Sequence, residues 1–226
     1  MGILGVVLIA SLTPFSLIDF PQKLAAILWF GGCNLKCAYC YNYELIKAHK
    51  FLSQDEVMRF LKSRIGLLDG VVCSGGECSI WGDRLIELIQ RIKAMGFCIK
   101  IDTNASNPKV LQKLLEKNLL NYVALDFKAP ENKMQKLCSK QYFKDFKTCF
   151  KLLRDSGIGY EVRSTFHSDF LEKEDVILMR DWLQENGYQG KYFIQGFVGD
   201  KGSLGNVGQS NNELVKNLKD IFYRGK

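Results

Sequence analysis

Three cysteines stand within the run Gly31-Gly32-Cys33-Asn34-Leu35-Lys36-Cys37-Ala38-Tyr39-Cys40, at a C-x3-C-x2-C spacing. Three thiolates cannot close a tetrahedral zinc site without a fourth ligand from elsewhere. On a [4Fe–4S] cube they leave one iron open. An open iron can bind and activate a substrate or cofactor, whereas a four-thiolate cluster mainly carries electrons. Cys33, Cys37 and Cys40 are thus candidate ligands of an iron–sulfur cluster or of a structural zinc. The glycine pair lets the backbone pack closely against a bulky group. The five other cysteines, Cys73, Cys78, Cys98, Cys138 and Cys149, form no second C-x2-C. Cys73 and Cys98 read as core. Cys78 reads as a packed thiol near the mouth of the site. With only His49 and His167 as histidines, a metal site built from imidazoles is nearly excluded.

The elements that must position this loop can be read from periodicity. Strands are expected at Leu24–Phe30, Asp69–Cys73, Phe97–Ile101, Tyr122–Phe127, Tyr160–Phe166 and Tyr192–Ile194. Helical patterns follow at Ser53–Ile65, where Ser53 and Glu56 have capping-box spacing, and at Asp83–Met95, stopped by Gly96. Others run from Pro108 to about Lys117, over Ser139–Asp155, over Glu172–Asn186, and from about Asn211 onward. Strands alternating with helices imply a parallel sheet with crossover helices, an α/β fold of partial (β/α)6 barrel type formed by residues 1–226 as one domain. Such folds carry their chemistry at the C-terminal ends of the strands. The polar residues obey that rule. Strand two runs into Ser74-Gly75-Gly76-Glu77, strand three into Asp102-Thr103-Asn104 and strand four into Asp126-Phe127-Lys128. Strand five carries Glu161 and Arg163 on one face, and His167 follows it.

The 226 residues are 47% hydrophobic and 24% charged, which excludes a disordered tail, a collagen or a coiled coil. The net charge of +7 permits an acidic partner without demanding one. The apolar run Gly2–Ala10 is far short of the roughly 20 residues a membrane span needs, and no basic residue precedes it as in a secretory signal. A cytosolic, reducing setting is therefore expected, with no membrane association. No aromatic and basic motif supports nucleic-acid binding. Lys133, Lys136, Lys140, Lys144, Lys147 and Lys151 recur at steps of three or four, and would form one stripe on a continuous helix, which Ser139 could split. This stripe reads as a solvated face or as a docking surface for an acidic partner. The glycine-rich stretch 196–208 lacks a phosphate-loop lysine motif and reads as a loop near the site.

Taken with its place after the first strand, the C-x3-C-x2-C loop resembles the radical S-adenosylmethionine (SAM) superfamily. The resemblance implies that SAM chelates the open iron and is cleaved to methionine and a 5′-deoxyadenosyl radical. Tyr39 and Tyr41 would then lie near the adenine. Ser74, Gly75, Gly76 and Glu77 resemble the motif that binds the SAM amino group, although Cys78 stands where many relatives have Pro. Asp102, Thr103 and Asn104 resemble a motif of glycyl radical enzyme activases, where the Asp and Thr help bind a monovalent cation. Asp126, Lys128 and Arg163 would lie beside the cofactor, with a cation on its carboxylate. The segment Leu12–Ile27 resembles activating proteins of anaerobic ribonucleoside-triphosphate reductase, departing at Gln22, and Tyr41 after the third cysteine is a second departure. This implies a glycyl radical enzyme as protein substrate, and reduced flavodoxin or ferredoxin as electron donor. The alternative is a radical SAM enzyme acting on a small molecule, as carboxy-deazaguanine synthases do.

Overall fold

The computed structural model describes residues 7–199 and 202–225. They form two compact units. The first holds the chain up to Asn34, then Glu44–Thr103 and Asn107–Val123. The second holds Leu35–Tyr43, Asn104–Ser106 and the chain from Ala124 on. Within each unit, strands consecutive in the chain lie side by side.

In the first unit, β2 (Ala25–Phe30), β3 (Gly70–Gly75) and β4 (Cys98–Thr103) are parallel neighbours. Their residues are almost all buried, as expected for a parallel sheet covered on both faces. Helices α1 (Tyr43–Ile46), α2 (Gln54–Lys62), α3 (Asp83–Lys93) and α4 (Pro108–Glu116) occupy the intervening chain. On α3 the apolar stripe Leu85, Ile86, Leu88, Ile89 and Ile92 is buried. The capping box expected at α2 is present: Glu56 N donates to Ser53 Oγ at 3.2 Å, and Ser53 N donates to Glu56 Oε2 at 2.7 Å. A strand that periodicity did not reveal, β1 (Ile9–Ser16), pairs antiparallel with β2. Pro14 removes a donor and breaks the strand pattern, which an edge strand tolerates. The Trp29 indole donates to Thr13 Oγ1 across this pair at 2.9 Å.

β5 (Tyr122–Asp126) carries the chain from the first unit into the second, where β6 (Gly159–Phe166), β7 (Tyr192–Gly196) and β8 (Ile221–Arg224) are parallel neighbours. The helix expected over Ser139–Asp155 is present, with its start corrected to Phe143. The chain forms α5 (Glu131–Cys138), then α6 (Phe143–Ser156), and Ser139 adopts φ 58°, the left-handed conformation that ends α5. The lysine stripe is therefore divided between two helices, and Lys133 is paired with Asp175 at 2.6 Å. Phe143, Phe146 and Phe150 of α6 pack on Trp182 of α7 (Lys173–Glu185), with ring centroids 5.3–5.6 Å apart. The helix expected from Asn211 is also corrected. A short turn at Asn212–Val215 gives way to β8, and Asp220 (φ 60°) breaks any helix between them.

Ser53→Ala removes one half of the α2 capping box. We expect a loss of about 1 kcal/mol, read as a lower urea midpoint with an unchanged slope.

Candidate functional site

In the first unit, the β2 and β3 strand ends lie side by side, with Phe30 level with Gly75. Gly76 N donates to Phe30 O and Glu77 N donates to Gly32 O, both at 2.9 Å. The loops approach so closely that a Cβ on Gly76 would fall 2.0 Å from Gly32 O. Gly75 has φ +122°, a conformation side chains rarely adopt. These two glycines are therefore required by the turn itself. Glu77 is 1% exposed, and its carboxylate accepts from Ser79 N at 3.1 Å and from Thr103 Oγ1 at 2.8 Å. It braces the turn from inside. Ser74 Oγ donates to Asp102 Oδ2 at 2.9 Å, and the Lys100 ammonium donates to Asp102 Oδ1. Cys78 is fully buried, with Sγ 3.7 Å from Asp102 O. Burial, reinforced by Glu77, pushes its thiol well above the ordinary cysteine range. It is a packed thiol and not one at an open mouth.

In the second unit, the loop bearing Cys37 and Cys40 is held by its backbone. Lys36 N and Ala38 N donate to Cys138 O and Leu137 O, at 3.1 and 3.2 Å. Cys40 N closes a turn onto Cys37 O at 3.0 Å. From the glycine-rich stretch, Leu204 N donates to Cys40 O at 2.9 Å and Gly205 N to Ala38 O at 2.8 Å. Sequence reasoning placed the glycine-rich stretch near the site, without these bonds, and missed the support at Leu137–Cys138. Pairing of backbone with backbone leaves no mark on side-chain type. Cys37 is buried, and its hydrogen bond with Cys138, together with burial, pushes its thiol well up. Burial raises Cys40 as well. Tyr39 is buried edge-on to Phe170, with ring centroids 6.3 Å apart. Its hydroxyl has no hydrogen-bond partner among the described residues. Tyr41 is exposed.

Asp126, at the end of β5, is shared by two cations: Arg163 Nε at 2.5 Å and Lys128 Nζ at 2.8 Å. Burial pushes its carboxyl up, but attraction and hydrogen bonds from Arg163 and Lys128 outweigh this and hold it at about 2. Burial opposes the charge on Lys128, yet Asp126, then Tyr39 and Cys37, keep it well above the ordinary lysine range. The trio carries a net charge of +1, suited to an anionic ligand. Asn104 Oδ1 accepts from Ser106 N at 3.0 Å, an Asx turn. Glu161 does not join Arg163; it pairs with Arg224 at 3.0 and 3.2 Å. His167 is buried and structural. Its Nε2 donates to Gly208 O at 3.1 Å, and its Nδ1 accepts from Asp169 N at 3.2 Å.

The family model for the radical SAM superfamily matches residues 27–178. The chain belongs to the radical SAM superfamily. It is 30% identical to a protein of Methanocaldococcus jannaschii named as a glycyl-radical enzyme activating enzyme, over 75% of this chain and 72% of that one. It is 26% identical to the pyruvate formate-lyase-activating enzyme of Streptococcus mutans, over 78% of this chain and 72% of that one. Methylornithine synthase superposes with a TM-score of 0.65 at 20% identity, over 85% of this chain and 58% of that longer one. This structural likeness bears on the fold alone. It agrees with an α/β, mostly parallel, open sheet of partial-barrel type.

A radical SAM enzyme works with a [4Fe–4S] cluster and SAM, and the residues fit these groups in kind. Cys33, Cys37 and Cys40 are not in disulfides, and their sulfurs are soft donors suited to iron. The partnerless buried hydroxyl of Tyr39 and the net positive Asp126 trio provide a polar and charged setting in the second unit. Among the described residues, no group of three or more His, Cys, Asp or Glu is gathered as a metal site. None of their helices is long and apolar enough to cross a membrane.

Gly76→Ala forces backbone against backbone, and we expect iron content after anaerobic reconstitution to fall below half that of the parent. Asp126 gives a pH signature. Its folded pKa is depressed, so its contribution of about 2 kcal/mol is full above about pH 4 and lost as pH falls toward 2. Urea unfolding between pH 6 and pH 2.5 should show that loss, and Asp126→Asn should flatten it.

Proposed function

We propose that this chain is a radical SAM activase that generates a glycyl radical on a partner enzyme, an anaerobic ribonucleoside-triphosphate reductase. The observation that carries the reading is its 30% identity, over 75% of the chain, to a protein named as a glycyl-radical enzyme activating enzyme, with C-x3-C-x2-C set directly after a buried parallel strand. The Leu12–Ile27 resemblance supports the choice of reductase.

In this reading Cys33, Cys37 and Cys40 hold the cluster. When bound, the cluster and SAM together supply a 5′-deoxyadenosyl radical able to remove a hydrogen atom from a glycine Cα. The chain's residues bind and orient. Glu77 spends its carboxylate on Ser79 and Thr103, so the backbone of the Ser74–Glu77 turn is what meets the SAM ammonium. Lys128 and Arg163, sharing Asp126, attract the SAM carboxylate with their surplus positive charge. Tyr39 and Tyr41 flank the adenine, and Asn104 fixes the loop after β4. The setting is the cytoplasm, and reduced flavodoxin or ferredoxin delivers the electron. Lys144 and Lys147 are exposed on α6, and with Lys140 they form the docking face for an acidic donor or for the reductase.

The test is anaerobic reconstitution with SAM and dithionite, with 5′-deoxyadenosine measured by chromatography. We expect product from the parent and none from Cys37→Ala. Addition of the reductase should then yield a glycyl radical signal in electron paramagnetic resonance. Turnover of a small deazapurine precursor without any protein substrate would favour the alternative enzyme class. Charge reversal at Lys140, Lys144 and Lys147 should slow activation by the physiological donor in a salt-dependent way. It should leave dithionite-driven cleavage intact, and unchanged activation across that series would remove the docking role.

A further inference from the structure

Lys100 sits in the middle of β4 and is 2% exposed, yet no step assigned above uses it. Strand alternation puts Lys100 on the same face as Asp102. In register with it on β3 is Val72, which packs with Phe20, Ala25 and Ile27 in an apolar layer. An ammonium is tolerated in such a place only when it is paired. Its partner is Asp102 Oδ1, while Asp102 Oδ2 accepts from Ser74 Oγ at 2.9 Å. Both carboxylate oxygens therefore have donors. The Thr103 hydroxyl donates to Glu77 Oε1 at 2.8 Å.

These are the residues at which the sequence resemblance implied a monovalent metal ion, and they do not fit one. A hard cation needs several oxygen ligands and local negative charge. The Lys100–Asp102 pair is neutral, and a metal ion beside it would face the like charge of Lys100. We propose that Lys100 is a built-in counter-cation: its ammonium stands where an exchangeable alkali-metal ion would otherwise neutralise Asp102. Through Asp102 and Ser74 it positions the Ser74–Glu77 turn. This makes Lys100 a positioning residue, and its effect on the cofactor rests on the reading of that turn as the holder of the SAM ammonium.

The experiment compares cluster-loaded protein in choline chloride, sodium chloride and potassium chloride at equal ionic strength. Two quantities are read: the thermal unfolding midpoint without SAM, and the SAM dissociation constant by calorimetry. For the parent we expect midpoints equal to within about 1 °C and affinities equal to within about twofold, because no cation site is filled. Lys100→Met should melt lower in choline, recover by several degrees in sodium or potassium, and bind SAM about tenfold more weakly in choline than the parent does. Lys100→Arg should restore indifference to salt. A parent whose midpoint or SAM affinity rises specifically with sodium or potassium overturns the proposal. So does a folded Lys100→Met variant that behaves like the parent in all three salts. If Lys100→Met does not fold, the parent's salt series decides. Absence of SAM binding in every salt counts against the proposed function, while the midpoints still read Lys100.

Discussion

The parallel register of β2, β3 and β4 is the constraint from which the turns of the first unit follow. Ladder hydrogen bonds fix Phe30 beside Gly75 and Cys73 beside Ile101, so the loops that leave these strands begin at one level. Two loops starting level and adjacent must either diverge or pack backbone on backbone. Here they pack, with Gly32 O accepting from Glu77 N. Only glycine permits that approach at position 76, and the left-handed backbone at position 75 has the same requirement. The chemistry-bearing motifs are thus a consequence of register before they are a consequence of side chains.

Electrostatics divides the acidic strand ends into two kinds. Asp102 meets one cation and one hydroxyl, giving a neutral, closed group deep in the sheet. Asp126 meets two cations, giving a trio with net positive charge and side chains 15–17% exposed. A neutral buried pair serves alignment, since its interactions are already consumed. A partly exposed trio with surplus charge can attract an anion and still return to its internal pairing when the anion leaves. The same residue type at the ends of β4 and β5 therefore stands in two different electrostatic settings.

Much of this could be read from the residues. The six expected strands, the α2 capping box, Pro108 at the start of α4 and the three-cysteine loop all announce themselves through periodicity or spacing. The failures have physical causes. β1 holds Pro14 and lies at an edge, so it shows neither continuous apolar character nor a clean alternation. The run from Asn211 has apolar residues at helical intervals, but Asp220 in a left-handed conformation ends the turn and starts β8. The split of the lysine-bearing segment at Ser139 was open to sequence reading, and the left-handed backbone there decides it. Lys100 went unremarked because a lysine within a strand reads as a solvated residue. Only the register with Val72 and the bond to Asp102 show it to be internal.

The cysteine loop itself follows a related logic. Cys37 and Cys40 are not activated by their surroundings: burial raises both thiols, and the bond to Cys138 raises Cys37 further. In the proposed reading these two cysteines would bind iron as thiolates, since a coordinating thiol is deprotonated outright. What the protein provides is geometry. Five backbone N–H groups, from Lys36, Ala38, Cys40, Leu204 and Gly205, secure the loop through partners on α5, within the loop and in the glycine-rich stretch. None of these bonds uses a cysteine sulfur. The course of the loop is thus set by backbone pairing and not by its thiols.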